Sequence, residues 1–224
     1  MTTTHVRKNA EVDPALLRGV FSPHQAGALA GVSGNRIGQW ARYGLIRPSV
    51  YEGRPANRYA FYDVAEAIVI HWLQDQEFDF DEIHTAIAHA REQHPTWPLL
   101  SPKIGVARVV EGDRGAIVER IGGVYVETGR PGGQAVLRPE LLDYVRDMLH
   151  SGGWFAYRLS LKRIEVNPEK LGGAPTVRGR RWPVQRVARI ASDAEGRAIL
   201  TEDYGLDERD VDESVRWTEA AAAL

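Results

Sequence analysis

SPHQAGALAGVSGNRIGQWARYGLI, residues 22–46, decides the fold of this chain. Ser22 ahead of Pro23 is an N-cap followed by proline at the first helical position, and Ala26, Leu29 and Ala30 then fall on one helical face. The spacing predicts a helix over Pro23 to Ala30, ended by Gly31. Val32 and Ser33 form a turn, and Ser33 caps a second helix in which Ile37, Trp40 and Ala41 keep the apolar i, i+3, i+4 rhythm until Gly44. Two short helices about a Gly-containing turn are a helix-turn-helix pattern, whose second helix offers its polar side to a major groove. Asn35, Arg36, Gln39 and Arg42 lie opposite the apolar stripe. Asn, Gln and Arg are the side chains able to bond base edges bidentately, and Arg also neutralises phosphate.

Outward from this pair, RPSVYEGRPANRYAFY carries a Glu-Gly-Arg-Pro turn between two extended pieces, which predicts a β-hairpin wing bearing Arg54, Asn57, Arg58 and Tyr59. Asp63 is expected to cap an apolar helix from Val64 to about Leu73, and Asp79 another from about Phe80 to Arg91. HPTWPLLSP, His94 to Pro102, holds three prolines and reads as a linker. Beyond it, Ile104 to Val110, Ala116 to Ile121 and Val124 to Glu127 predict an antiparallel meander. The glycine-rich GRPGGQ, Gly129 to Gln134, lacks a phosphate-loop pattern and reads as a hairpin turn. Pro139 to Leu149 predicts a helix and Leu159 to Val166 an extended run. Helices then follow from Pro183 to Ala191, Ala194 to about Tyr204, and Glu208 to about Ala222, the last capped by Asp207. The expected class is mainly α with a small β portion. The expected units are an N-terminal arm (1–20), a winged helix-turn-helix (21–93), a linker (94–102), a small α+β middle region (103–163) and a helical C-terminal domain (164–224).

The chain has 224 residues, 43% of them hydrophobic and 26% charged, a mix that excludes a disordered or low-complexity protein. No apolar run approaches a membrane span, Met1 to Ala10 lacks a signal-peptide core, and there are no cysteines, so a soluble cytoplasmic protein without thiolate chemistry is expected. The net charge of -2 conceals segregation. Ser22 to Tyr62 carries +4, Asp63 to Glu92 carries -7, Lys162 to Arg189 carries +6 and Ser192 to Leu224 carries -7. Such blocks suit either several partner-facing surfaces or ordinary solvated faces that offset one another. Enzyme signatures are missing: His84 and His89 are five apart, unlike ligands one helical turn apart, and there is no HExxH, nucleophile elbow, lysine-bearing phosphate loop or dinucleotide fingerprint. No catalytic residue, metal ligand or cofactor is expected.

Phe21 to Glu92 resembles the DNA-binding domain of MerR-type regulators. The match runs in order through the Ser-capped helix, Val32-Ser33, the GLI of Gly44 to Ile46, Arg47-Pro48, Arg58-Tyr59 and the EFDFDEI of Glu77 to Ile83. The resemblance implies DNA contacts from Asn35, Arg36, Gln39 and Arg42 in the second helix and from Arg54, Arg58 and Tyr59 in the wing. It departs at Gly38, Gln39 and Trp40, where that family carries arginine followed by tyrosines. A mid-helix glycine costs roughly 0.5–1 kcal/mol against alanine, and this one removes a phosphate ligand. A second stretch, IEVNPEKLGGAPTVRGRRWPV from Ile164, resembles a domain of formerly unknown function found in VapB-like antitoxins, through Asn167 to Glu169, Leu171 to Gly173, Pro175 to Arg181 and Pro183-Val184. Trp182 replaces a smaller apolar residue there.

The two resemblances together imply a homodimeric antitoxin that neutralises a PIN-domain ribonuclease toxin and binds double-stranded operator DNA to repress its own operon. A PIN site holds metal on carboxylates, and guanidinium groups pair with carboxylates bidentately. Arg178, Arg180 and Arg181 are therefore candidates for the toxin contact, unless they hold turns together or bind DNA. The alternative is a MerR-like regulator that senses a small ligand through its middle region and has no toxin partner.

Overall fold

The computed structural model describes residues 19–53, 56–101, 104–107, 116–121, 124–127 and 141–224. Most of the arm, Arg54 and the GRPGGQ turn lie outside the described residues. The described chain is mainly helical with two small antiparallel sheets.

Helix α1 (Pro23–Ala30) starts at a reciprocal cap: Ser22 Oγ accepts from the Gln25 amide, and the Gln25 side chain accepts from the Ser22 amide. Gly31 then adopts φ 77°, and a Cβ there would strike the Trp154 indole. The turn between the two helices thus needs glycine twice over, for handedness and for room. In α2 (Gly34–Arg42), Ser33 Oγ accepts from the Arg36 amide as the cap. The wing is sewn at its base. Phe21 and Tyr59 exchange both backbone hydrogen bonds, as do Tyr51 and Arg58.

Helix α3 (Phe61–Asp75) begins two residues before the expected cap, because Asp63 lies inside its first turn. From there its carboxylate accepts from the Ala60 amide at 2.8 Å, the Ser49 amide at 2.9 Å, the Ser49 hydroxyl at 2.7 Å and Trp97 Nε1 at 2.6 Å. Asp63 therefore clamps both ends of the wing to the helix. Helix α4 (Phe80–Gln93) carries a capping box between Asp79 and Glu82. The stretch expected to be a linker does not behave as one: Pro98, Leu99 and Leu100 form a buried 3-10 turn, and Leu99 N–H donates to Glu66. Pro98 starts this turn, and Leu99 and Leu100 beside it pack into the core of the first unit.

Glu66 is buried beside that turn, and burial pushes its carboxyl up from 4.5 to about 8, despite the Leu99 amide and the field of Arg91. The folded protein keeps this proton where the unfolded chain loses it, so its contribution to stability is full below pH 4.5 and is lost as pH rises to about 8. Glu66→Gln, a neutral near-isostere, is expected to match the parent in urea denaturation at pH 5. At pH 9 it should be more stable by ~4 kcal/mol, since about three pH units of that interval lie above pH 5. Equal loss of stability with pH in both proteins would contradict this.

The middle region pairs β1 (Ile104–Ala107), β2 (Ala116–Ile121) and β3 (Val124–Glu127) antiparallel in the order 1-2-3, with Val106 opposite Ile117 and Glu119 opposite Val126. Helix α5 (Leu141–His150) is followed by a short α6 (Gly153–Arg158) that the sequence pattern does not announce. Of the run expected to be extended, only β4 (Ile164–Glu165) is strand, paired with β5 (Thr176–Val177). Then come α7 (Val184–Ile190), α8 (Ala194–Ala198) continuing into a π-turn Ile199–Asp203, and α9 (Glu208–Ala222) capped by Asp207.

One large apolar cluster runs from Phe21 through Ile68 and Ile83 to Leu149, Trp154, Ile164 and Trp217. A smaller one, including Val187, Leu200, Leu206 and Val211, fills the C-terminal unit. Trp217 of α9 belongs to the large cluster, so the last helix is shared between the two.

Candidate nucleic-acid interface

Ile37 and Trp40 are buried and hold α2 against the core, which leaves Asn35, Arg36, Gln39 and Arg42 exposed. At about 100° per residue, Asn35, Gln39 and Arg42 lie within an arc of about 60°. They form one ridge. Arg36 stands apart from it: its guanidinium donates to Gln74 Oε1 at 3.0 Å and lies 5.8 Å from the Trp40 ring, which leans it toward α3. The far end of α2 is braced from α4, where Arg91 donates to the carbonyls of Gly44 at 2.6 Å and Leu45 at 3.1 Å. Beside Arg42, the exposed Tyr43 ring meets Phe80 edge-on at 5.6 Å, and Phe80 stacks on His84. The end of α1, just ahead of the turn into α2, is fixed by His71, whose Nδ1–H donates to the Ala30 carbonyl at 2.7 Å while its ring lies 4.2 Å from Trp154. Burial lowers the His71 pKa.

The wing differs from expectation. Tyr59 is 1% exposed, and its hydroxyl accepts from Asn57 Nδ2 at 3.4 Å. Burial pushes its phenol up, so the ring is a neutral piece of core and its assignment as a DNA contact is corrected. Asn57 builds the turn, its Oδ1 accepting from the Gly53 amide. Arg58 is half-buried and donates to the Ala56 and Asn57 carbonyls, which ties its guanidinium to the wing itself. Arg54 lies outside the described residues. Arg47, at the start of the wing, is exposed. Sequence reasoning missed Asp63 and Arg91 as positioning residues, since each acts on backbone groups far along the chain or across it.

In the C-terminal unit the three candidate arginines part company. Arg178 is structural: Nε donates to the Lys162 carbonyl at 2.7 Å and its guanidinium also to Ile164 at 2.9 Å, which locks β4 to β5. Arg180 donates to the Gly205 carbonyl at 2.8 Å. Arg181 is exposed and makes no hydrogen bond or ion pair among the described residues. Next to it, Trp182 packs edge-on against the exposed Tyr204 at 4.9 Å, with the Arg186 guanidinium 5.5 Å from the indole. The result is a cationic aromatic patch. Helix α8 and its π-turn, by contrast, expose Glu195, Glu202 and Asp203, and Arg197 is taken up by Asp212 at 2.7 Å. Phosphate would be repelled there, so the electrostatics favour α2 over α8 as a DNA-facing helix.

Comparison with known proteins matches residues 164–217 to a family model described as "Protein of unknown function (DUF433)". No curated protein matches the chain. Among solved structures, the X-ray crystal structure of Rv2018 from Mycobacterium tuberculosis is similar with a TM-score of 0.56 at 14% identity, over 92% of this chain and 100% of that one. That likeness is one of fold. No helix among the described residues is long and apolar enough to cross a membrane.

Proposed function

We propose that this chain is an operator-binding antitoxin: α2 and its wing take a DNA duplex, and the patch around Arg181 and Trp182 takes a PIN-domain ribonuclease. The observation that carries the DNA half is the single ridge of Asn35, Gln39 and Arg42, exposed on a helix whose far end is braced by Arg91 and whose entry turn follows the α1 end held by His71. A ridge of base-reading side chains on a fixed backbone is what direct readout in a major groove requires. The toxin half follows from the resemblance of residues 164–184 to antitoxin domains. Arg181 is its cation, since Arg178 is committed to backbone carbonyls, and the neighbouring indole and phenol are side chains that carry binding energy at interfaces. Two copies of the chain would present two ridges to the halves of an inverted repeat.

Fluorescence anisotropy with the duplex upstream of the coding frame tests the reading. The parent is expected to bind with an affinity that falls with salt, at a log–log slope of about -3 for some three neutralised phosphates. Arg42→Ala is expected to weaken binding about tenfold at unchanged helicity. In the second arm, the parent is expected to inhibit the ribonuclease encoded beside it, and Arg181→Glu to relieve inhibition without changing duplex affinity. Absence of duplex binding at low salt would overturn the regulatory half.

A further inference from the structure

Glycine inside a helix costs stability, and the described helices mostly show what that cost secures. A Cβ on Gly27 in α1 would run into the Val32 carbonyl, one on Gly34 would lie 2.7 Å from His24 Nδ1, and one on Gly196 in α8 would overlap the Ile190 carbonyl. These positions need glycine because the protein's own backbone or a packed ring fills the space. Gly38, midway along α2, is different: a Cβ there would meet nothing within 4 Å. Its φ is outside the left-handed region, so conformation does not call for glycine either.

Gly38 is half-exposed, one helical turn before Arg42 and just under one turn after Asn35. It lies on the flank of the ridge, at the edge where a helix seated in a major groove faces the groove wall. We propose that Gly38 is a close-approach position for DNA: the missing side chain lets the backbone of α2 come against a sugar-phosphate strand, deeper than any residue with a Cβ would allow. The inference rests on the DNA reading of α2 and adds a depth of seating to it. Glycine serves in this way wherever a main chain must lie against a ligand. The seating also sets the reach of the neighbours. Asn35 and Gln39 have short side chains, and a helix held off the duplex would leave their amides short of base edges that they reach from a deeper position.

The experiment is a melt and a titration on the full chain. Gly38→Ala is expected to raise Tm by a few degrees, because alanine is the better helix former and the site is open. The same variant is expected to bind the upstream duplex at least tenfold more weakly, and Gly38→Leu more weakly still. The slope of affinity against salt should stay that of the parent, because no charge has been removed. Gain of stability with loss of affinity separates this role from a structural one. Gly38→Arg supplies the opposite case: tighter binding than the parent would mean that the position merely lacks a phosphate ligand, and would overturn the proposal. Duplex binding by Gly38→Ala within twofold of a parent that itself binds would overturn it too, leaving the DNA reading intact. A parent that binds no duplex would bring down both.

Discussion

Asp63→Ala is expected to lose about 3–5 kcal/mol of stability, enough to lower Tm by about 10 °C in a chain of this size. Four donors converge on this carboxylate, three of them on Oδ2 and Trp97 Nε1 on Oδ1. Truncation leaves the buried Ala60 amide and the indole N–H without a partner, and each such orphan costs about 1–3 kcal/mol. Burial raises the Asp63 pKa and the four donors pull it back, so the site depends on accepting at both oxygens. The informative variant is therefore Asp63→Asn. An amide keeps the shape but turns one acceptor into a donor, which faces either Trp97 Nε1 or the Ser49 and Ala60 amides. Asp63→Asn is expected to be nearly as damaging as Asp63→Ala in urea denaturation; a loss under ~1 kcal/mol would contradict the clamp. Because Ser49 and Ala60 flank the wing, duplex affinity is expected to fall with stability.

Trp217→Ala carries the second large effect. This indole is 1% exposed within the main core, and its Nε1–H donates to the Gly152 carbonyl at 2.8 Å. Around it, Arg216 reaches the Leu159 carbonyl, and Glu213 accepts from the Lys162 and Arg163 amides at 2.7 and 2.6 Å. On its other side α9 packs on α7, inside the smaller cluster. Removing a buried tryptophan costs about 3–5 kcal/mol. Here the loss falls on the joint between two clusters, so denaturation followed by tryptophan fluorescence and by circular dichroism is expected to separate into two transitions where the parent shows one. Trp217→Phe, which keeps most of the apolar contact, is expected to cost ~1–2 kcal/mol and to remain a single transition. A single unshifted transition in Trp217→Ala would show that the clusters hold together without it.

Much of this fold is legible from local chemistry. Ser22, Ser33, Asp79 and Asp207 are side chains whose capping bonds lie within three residues of themselves, and the helices start where those residues say. The exposed arc of α2 follows from a repeat of about 100° per residue and nothing else. What stayed hidden depends on partners far along the chain. Asp63 precedes an apolar run and so resembles a cap, yet its work is set by Ser49 and Trp97. Tyr59 follows Arg58 in a polar hairpin, yet its pairing with Phe21 turns the ring inward. Arg178 sits among arginines of a charged loop, and only the approach of β4, more than a dozen residues earlier, occupies it. The six-residue α6 opens on two glycines, Gly152 and Gly153, both at positive φ, and offers too little periodicity to be recognised.

The two carbonyls that Arg91 holds at the end of α2 decide how the helix can respond to contact. Free carbonyls would let that turn rewind into an extra stretch of helix when a partner arrives. With Gly44 and Leu45 already engaged from α4, rewinding that turn would first have to break both bonds. A partner that docked on this ridge would meet a helix end already ordered in the free protein, which would leave less ordering entropy to be met on binding.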